Sequence, residues 1–255
     1  MLNRHYNLQG KIALVTGSSR GIGRAVALGL AECGADVMLH ARRAASIPPS
    51  LPDEIRACGV RCCAAAADLS DPQGARSLYA ATVEQLGAPD ILVLNASLQI
   101  RNDWEKVPLE EYQTQMQIDF FSDVQLAQLA VPAMRERHWG RIVTIGSVQQ
   151  CHPHREMIVY AAAKSALANL VRNLAVQLAP DGITVNHVAP GVIETDRNCD
   201  VLANPECRRR CLKRTPVGFL GTPEDCVPPV LLFCAPESRF LTGCDLSVDG
   251  GNSLV

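Results

Sequence analysis

One alternation runs along nearly the whole chain and constrains it more than any other feature: short apolar, β-branched runs separated by longer stretches of helical period. Runs at 12–16, 37–40, 60–66, 91–94, 141–145, 184–188 and 245–248 read as strands. Between them, 22–33, 72–86, 109–137, 159–178 and 224–234 carry apolar residues at helical spacing. The strand runs are continuously apolar instead of alternating, which suits a parallel sheet buried on both faces. Parallel neighbours need a crossover of a dozen or more residues, and the helical stretches supply it with right-handed connections. The predicted fold class is therefore α/β, a doubly wound parallel sheet of about seven strands.

No repeat and no linker divides the sequence, so residues 1–255 are predicted to form a single domain, which is long enough to bury a substantial core. Two stretches break the period. Residues 44–52 are rich in Pro, Ala and Ser and read as a surface loop before a short helix. Residues 190–216 have no clear period and contain the basic run Arg208, Arg209, Arg210. A long irregular connection after a strand's C-terminal end is where α/β proteins cover their ligands. A solvated loop with a basic face is the other reading of that run.

A formal net charge of −2 gives no electrostatic reason to expect nucleic acid or an anionic membrane as partner. No apolar run approaches the roughly 20 residues that span a bilayer. Residues 1–10 are polar and lead straight into a strand, so no secretory signal is expected, which favours the cytoplasm. Eleven cysteines is an odd number, and Cys58, Cys62, Cys63 and Cys199, Cys207, Cys211 form two clusters. Neither cluster has the spacing by which zinc gathers four ligands, so the thiols read as small hydrophobes and no metal is expected.

The first strand ends in Thr16-Gly17-Ser18-Ser19-Arg20-Gly21-Ile22-Gly23, and a helix follows. Glycines let a backbone turn tightly and approach a pyrophosphate, whose charge is favoured at a helix N-terminus. A glycine pattern is informative only in this context of strand, turn and helix. The octet resembles the TGxxxGIG cofactor motif of the short-chain dehydrogenase/reductase family, and the resemblance continues in order to about Gly251. It implies a Rossmann-type sheet and a dinucleotide cofactor. Asp68, followed by Leu69, resembles the acid after the third strand that contacts the adenine. Leu94-Asn95-Ala96-Ser97 resembles the NNAG segment after the fourth. Ser147, Tyr160 and Lys164 match the family's active site. Pro190-Gly191, with Ile193 and Thr195, resembles the turn that holds the nicotinamide carboxamide, and Asp249-Gly250-Gly251 the common ending. The resemblance assigns cofactor contacts to Gly17, Ser19, Arg20, Gly21, Ile22, Gly23, Asp68, Leu69, Asn95, Ala96, Tyr160 and Lys164 as well as to that turn.

NAD users commonly place a carboxylate at the end of the second strand to bind the ribose 2′-hydroxyl. Here the strand ends His40-Ala41-Arg42-Arg43, with no acid. Arg42 and Arg20 stand where the family's NADP users put cations, and the planar guanidinium suits a phosphate. NADP is expected over NAD, with NAD possible as a second cofactor.

Tyr160 and Lys164 are four apart on a predicted helix and so share a face. A free tyrosine titrates near 10, and a nearby ammonium favours the phenolate. The resemblance makes Tyr160 the general acid/base, gives Lys164 a bond to the nicotinamide ribose, and aims Ser147 at the substrate oxygen, where charge develops. Two positions depart from the family. Asp119 stands where an asparagine usually helps hold a water linked to the lysine, if the alignment there is not shifted by a residue. It keeps an acceptor and adds a charge that can pair with Lys164. Ser97 replaces the glycine of NNAG, which costs that loop backbone freedom.

Substrate contacts in the family come from three segments: between Ser147 and Tyr160, after Asn95, and after Pro190. The first holds His152, His154 and Arg155, and the second Gln99, Arg101 and Asn102. Their polarity hints at a hydroxylated or anionic small molecule, a sugar derivative or an oxo acid, although exposed loops are polar by default. Within the enzyme reading, a 3-oxoacyl thioester is the rival to a sugar or polyol. Outside it stands a non-catalytic dinucleotide-binding protein used for sensing or assembly, which has no need of Ser147. The resemblance also implies a homo-oligomer, tetramer or dimer, built through the helices at 109–137 and 159–178.

Overall fold

The computed structural model describes residues 6–255, so Met1 to His5 of the polar N-terminal stretch lie outside the described residues. Seven strands form one all-parallel sheet: β1 (Ile12–Val15), β2 (Asp36–Ala41), β3 (Cys62–Ala66), β4 (Ile91–Leu94), β5 (Gly140–Ile145), β6 (Ile183–Pro190) and β7 (Asp245–Val248). Their order is β3-β2-β1-β4-β5-β6-β7. The chain builds outward from β1 in one direction, then restarts at β4 on the other side. That reversal opens a crevice beyond the C-terminal ends of β1 and β4, the place where doubly wound sheets bind ligands.

Strand periodicity sorts the core into two layers. Ala13 and Val15 face one side with Val37, Leu39 and Val93, under helices α1 (Gly21–Glu32) and α9 (Val227–Cys234). Leu14 faces the other with Met38 and Leu92, under α3 (Gly74–Gln85), α5 (Ser122–Glu136) and α6 (Ile158–Leu178). Both faces of the central strands are covered, so their sequences are continuously apolar.

The structure departs from the predicted elements in two places that matter for the site. The predicted helix at 109–137 is α4 (Leu109–Met116), a π-helical turn at Gln117–Phe121, and then α5. The wide turn carries Asp119, and such turns recur at functional sites. The connection at 190–216 is not irregular: it holds α7 (Cys199–Ala203) and α8 (Pro205–Lys213). Asn204 caps α8 by accepting from the Glu206 and Cys207 amides, and Pro205 opens the helix with φ already suitable. No residue of α8 is buried, and its apolar stripe is limited to the half-buried Cys207, Cys211 and Leu212, too short a pattern to read. The short helix after 44–52 is α2 (Leu51–Arg56).

All eleven cysteines are free thiols. Burial pushes Cys33 and Cys62 up to about 11 and Cys226 and Cys234 up to about 12, which leaves these four as unreactive apolar side chains. Among the described residues no helix is long and apolar enough to cross a membrane, and no group of side chains is placed to hold a metal ion.

Candidate active site

A cavity of about 1200 Å³ opens at the crevice beyond β1 and β4. Its wall includes every cofactor and catalytic position singled out in the sequence except Asp119, which lies behind it.

At one end the β1–α1 turn is packed as tightly as backbone allows. Gly17 has φ +63°, and a Cβ there would lie 3.0 Å from the Ala96 Cα. A Cβ on Gly23 would lie 2.5 Å from both Asn95 Nδ2 and the Gly17 carbonyl oxygen. Only hydrogen fits at these positions. Asn95 Nδ2 donates to the carbonyls of Thr16 and Gly17, while the amides of Asn95 and Ala96 donate to Thr16 Oγ1. The α1 N-terminus has neither a side-chain cap nor an acid in its first turn, so its amides and the positive end of its dipole are open to an anion. A pyrophosphate fits this cradle.

His40, at the end of β2, was not singled out as a site residue, and it holds the loop. Its Nδ1 accepts from the Gly17 amide at 3.0 Å, its Nε2 donates to the Ala67 carbonyl at 3.0 Å, and its own amide donates to Ser18 Oγ. Burial lowers its pKa against the pull of the Ala67 carbonyl and Asp68, which keeps the ring in the neutral form that accepts at Nδ1. A histidine at a strand end carries no such signal in sequence.

Arg42 and Arg20 both line the cavity near this cradle. Arg42 Nε donates to Asp68 Oδ2 at 2.8 Å, and Arg20 lies 3.9 Å from Asp196. Burial works to raise Asp68, but two bonds from Ser70 and the Arg42 guanidinium outweigh it and hold the carboxyl below its ordinary range. Ser97 is not in the left-handed region; His138 is the only non-glycine residue there among the described residues. The serine therefore costs the loop no backbone strain. Its hydroxyl and carbonyl accept from Arg197, which ties the loop after β4 to the segment after β6.

Tyr160 and Lys164 project from the first turns of α6, and Ser147 follows β5. All three are buried and line the cavity. Lys164 is 1% exposed; its Nζ donates to the Ile145 carbonyl at 3.0 Å and sits 5.6 Å from the centre of the Tyr160 ring. Ser147 Oγ accepts from the Gln149 amide, so its own proton is free for a substrate oxygen.

Behind Lys164 lies Asp119, fully buried, with Oδ1 4.0 Å from Nζ and accepting from the Leu98 amide at 2.9 Å. Asp119 thus occupies the place facing the lysine. Its Oδ2 has no partner among the described residues. Burial raises its pKa, with Lys164, the Leu98 amide, the Ser97 hydroxyl and Arg197 pulling the other way. One turn further on, Asp123 is also buried, and neither of its oxygens has a partner among the described residues. Burial pushes it well above the carboxylate range, with Lys164 opposing and Asp119 adding to the rise. Nothing in the sequence marked Asp123, because a carboxylate on a helix reads as solvent-facing until the packing is known.

A family model described as enoyl-(acyl carrier protein) reductase matches residues 17–253. The chain is similar to L-rhamnose 1-dehydrogenase (NAD(P)(+)) of a Sphingomonas species, 35% identical over 245 residues that cover 96% of each chain. It also superposes on a crystal structure of 3-oxoacyl (acyl-carrier-protein) reductase from Agrobacterium tumefaciens with NADP bound, with a TM-score of 0.92, 36% identity and coverage of 98% and 97%. A gluconate 5-dehydrogenase from Burkholderia cenocepacia, solved with NADP and tartrate, gives a TM-score of 0.92 at 31% identity, covering 100% of this chain and 99% of that one.

Proposed function

The chain belongs to the short-chain dehydrogenase/reductase family and is an NAD(P)-dependent oxidoreductase, and on that premise we propose that it interconverts a small carbonyl compound and its alcohol with NADP, using Tyr160 as general acid/base. The observation that carries this reading is the arrangement of Ser147, Tyr160 and Lys164 on one wall of a cavity whose other end is a glycine cradle. When bound, the nicotinamide supplies or accepts the hydride. In the reductive direction Tyr160 Oη delivers a proton to the carbonyl oxygen, and in the oxidative direction it takes one from the alcohol. Lys164, held by the Ile145 carbonyl, favours the phenolate. Ser147 donates its hydroxyl proton to the substrate oxygen as negative charge builds there.

In this reading the amides of the Gly17 to Gly23 turn hold the pyrophosphate. Asp68 and Leu69 face the adenine, and Asn95 and Ala96 line the middle of the cavity. Pro190, Gly191, Ile193 and Thr195 hold the nicotinamide end. Arg42 and Arg20 give the 2′-phosphate its partners, and no carboxylate at the end of β2 opposes it. We take the working form to be a homo-oligomer assembled through the long helices, where Phe121 and Val176 are exposed.

Tyr160→Phe is expected to lower turnover by about 10²–10⁴-fold while NADPH still binds, followed by nucleotide fluorescence. Unchanged turnover would overturn the mechanism. Arg42→Ala is expected to weaken NADP about tenfold or more with little effect on NAD, since one charge-assisted bond is lost. Equal losses for both nucleotides would remove the basis for NADP preference.

A further inference from the structure

We propose that the substrate carries a compact oxyanion, a carboxylate or a phosphate, held by Arg101 and Arg214 at the end of the cavity remote from the glycine cradle. The proposal rests on reading this cavity as the hydride-transfer site, and it specifies the substrate class of that site.

Three separate segments bring cationic side chains to this part of the wall. Arg101 comes from the loop after β4, His154 and Arg155 from the loop before α6, and Arg214 from the residue after α8. Their convergence shows in the state of His154. Burial lowers its pKa most, Arg101 comes next, and Arg214 and Arg155 add to the shift against the opposing pull of Glu156. Like charges gathered in a cleft raise the local potential for an anion.

Two of these cations have no carboxylate of their own. Arg155 is 3.6 Å from Asp103. Among the described residues Arg101 and Arg214 have no ion-pair partner and no side-chain hydrogen bond. Every other arginine on the wall is already held: Arg20 has Asp196, Arg42 has Asp68, Arg197 donates to the Ser97 hydroxyl and carbonyl, and Arg210 donates to Cys207 Sγ.

The backbones bearing the two arginines are tied down, which separates a built site from a polar loop. On one side of Arg101 the Ile100 amide donates to Gln115 Oε1 at 3.2 Å, and Gln115 is fully buried. On the other side the Asn102 amide donates to the Glu156 carbonyl at 2.9 Å. The Arg214 carbonyl accepts from Asn252 Nδ2 at 2.7 Å, and its amide donates back into the last turn of α8. Only the guanidinium stems are left to order when an anion arrives, and the planar fork of each can bond two of its oxygens.

The test uses the full chain with NADPH filling the cradle, so that the cofactor's own anion sites are occupied. Reduction is followed for a panel of oxo acids with their methyl esters, and of sugar ketones with their phosphate monoesters. The anionic member of each pair is expected to show a kcat/KM about tenfold or more above its neutral counterpart. Whether the acids or the phosphates lead identifies the oxyanion. Arg101→Gln and Arg214→Gln are each expected to raise KM for the anionic substrate about tenfold and to bring the anionic-to-neutral ratio towards one. Arg209→Gln, exposed on α8 and off the cavity wall, is expected to change neither. Neutral members reduced as well as anionic ones would overturn the oxyanion proposal and leave the hydride-transfer reading standing. If no member is reduced, that reading fails. The oxyanion proposal is then decided by calorimetric binding of malonate and inorganic phosphate to the NADPH-loaded protein. Binding lost in both arginine variants supports it, and binding absent or unaffected by them overturns it.

Discussion

Two buried polar sets stand close to the catalytic side chains, and they are built in opposite ways. In the first, near Ser147, Thr144, His187 and Gln150 are linked in a chain of bonds that runs out to the exposed Asp245. His187 Nδ1 accepts from Thr144 Oγ1, His187 Nε2 donates to Gln150 Oε1 at 2.8 Å, and Gln150 Nε2 donates to Asp245 Oδ2 at 2.8 Å. In the second, beside Lys164, three of the four carboxylate oxygens of Asp119 and Asp123 have none among the described residues. Burial of His187 and of Asp123 imposes the same demand, that the ring and the acid be neutral. The imidazole meets it by default at neutral pH, and Asp123 meets it by keeping a proton. Shape separates them as well. A Cβ on Gly146 would lie 2.0 Å from His187 Nε2, so the glycine and the histidine fit each other.

The largest effect expected from breaking this comparison comes from that fit. Gly146→Ala should cost about 3 kcal/mol by overpacking, a fall in Tm of roughly 6–12 °C. In a His187→Ala background the same change should cost little, giving a coupling of about 2–3 kcal/mol. Equal costs in the two backgrounds would show that the residues do not share the space.

Next in size is Asp123→Val. Removing a buried acid that lacks partners should raise stability by about 1–2 kcal/mol at pH 7–8. A loss of stability at pH 8 would show that the carboxylate has a partner that matters. The pH dependence then tells the two sets apart. His187 takes its proton near 6.5 when unfolded and near 4 when folded, because burial opposes the charge. Its stability is therefore present above about 6.5 and lost as pH falls from there towards 4. Asp123 has the reverse sign: its folded pKa is raised, so stability is full below the unfolded carboxylate value and declines as pH rises through the folded one. The gain from Asp123→Val should thus shrink towards pH 4. The slope between pH 4 and 6.5 should flatten in His187→Ala.

The contrast also explains what could be read from the sequence. The sheet was legible because Val37, Leu39, Leu92 and Val93 lie between two covered faces and are all apolar. The cradle was legible because Gly17 and Gly23 occupy positions where a Cβ collides with backbone or with Asn95. Such requirements are local, and the local sequence records them. Helix α8 was not legible, since its apolar face is only the half-buried Cys207, Cys211 and Leu212 among five charged residues. His40, His187 and Asp123 were not legible either. What each does depends on a neighbour from a different strand or helix, and a single histidine or aspartate looks the same whether that neighbour is water or a buried hydroxyl.

The smallest effect comes from the position that joins the second set to the chemistry. Asp119→Asn keeps the acceptor for the Leu98 amide and the shape of the side chain, and removes only the negative charge 4.0 Å from Lys164 Nζ. Without that charge the ammonium acts on Tyr160 unopposed and favours the phenolate more strongly. The limb of the kcat/KM profile for alcohol oxidation that reports the base should move to lower pH. The rate at neutral pH should change by less than about tenfold. Asp119→Leu removes the acceptor as well and leaves the Leu98 amide unpaired, so it should lose about 1–3 kcal/mol of stability that the asparagine variant retains. A limb that stays in place in Asp119→Asn, with stability lost only in Asp119→Leu, would make Asp119 a backbone acceptor and no more. A limb that moves would make it the group through which this site sets the charge its lysine presents to the tyrosine.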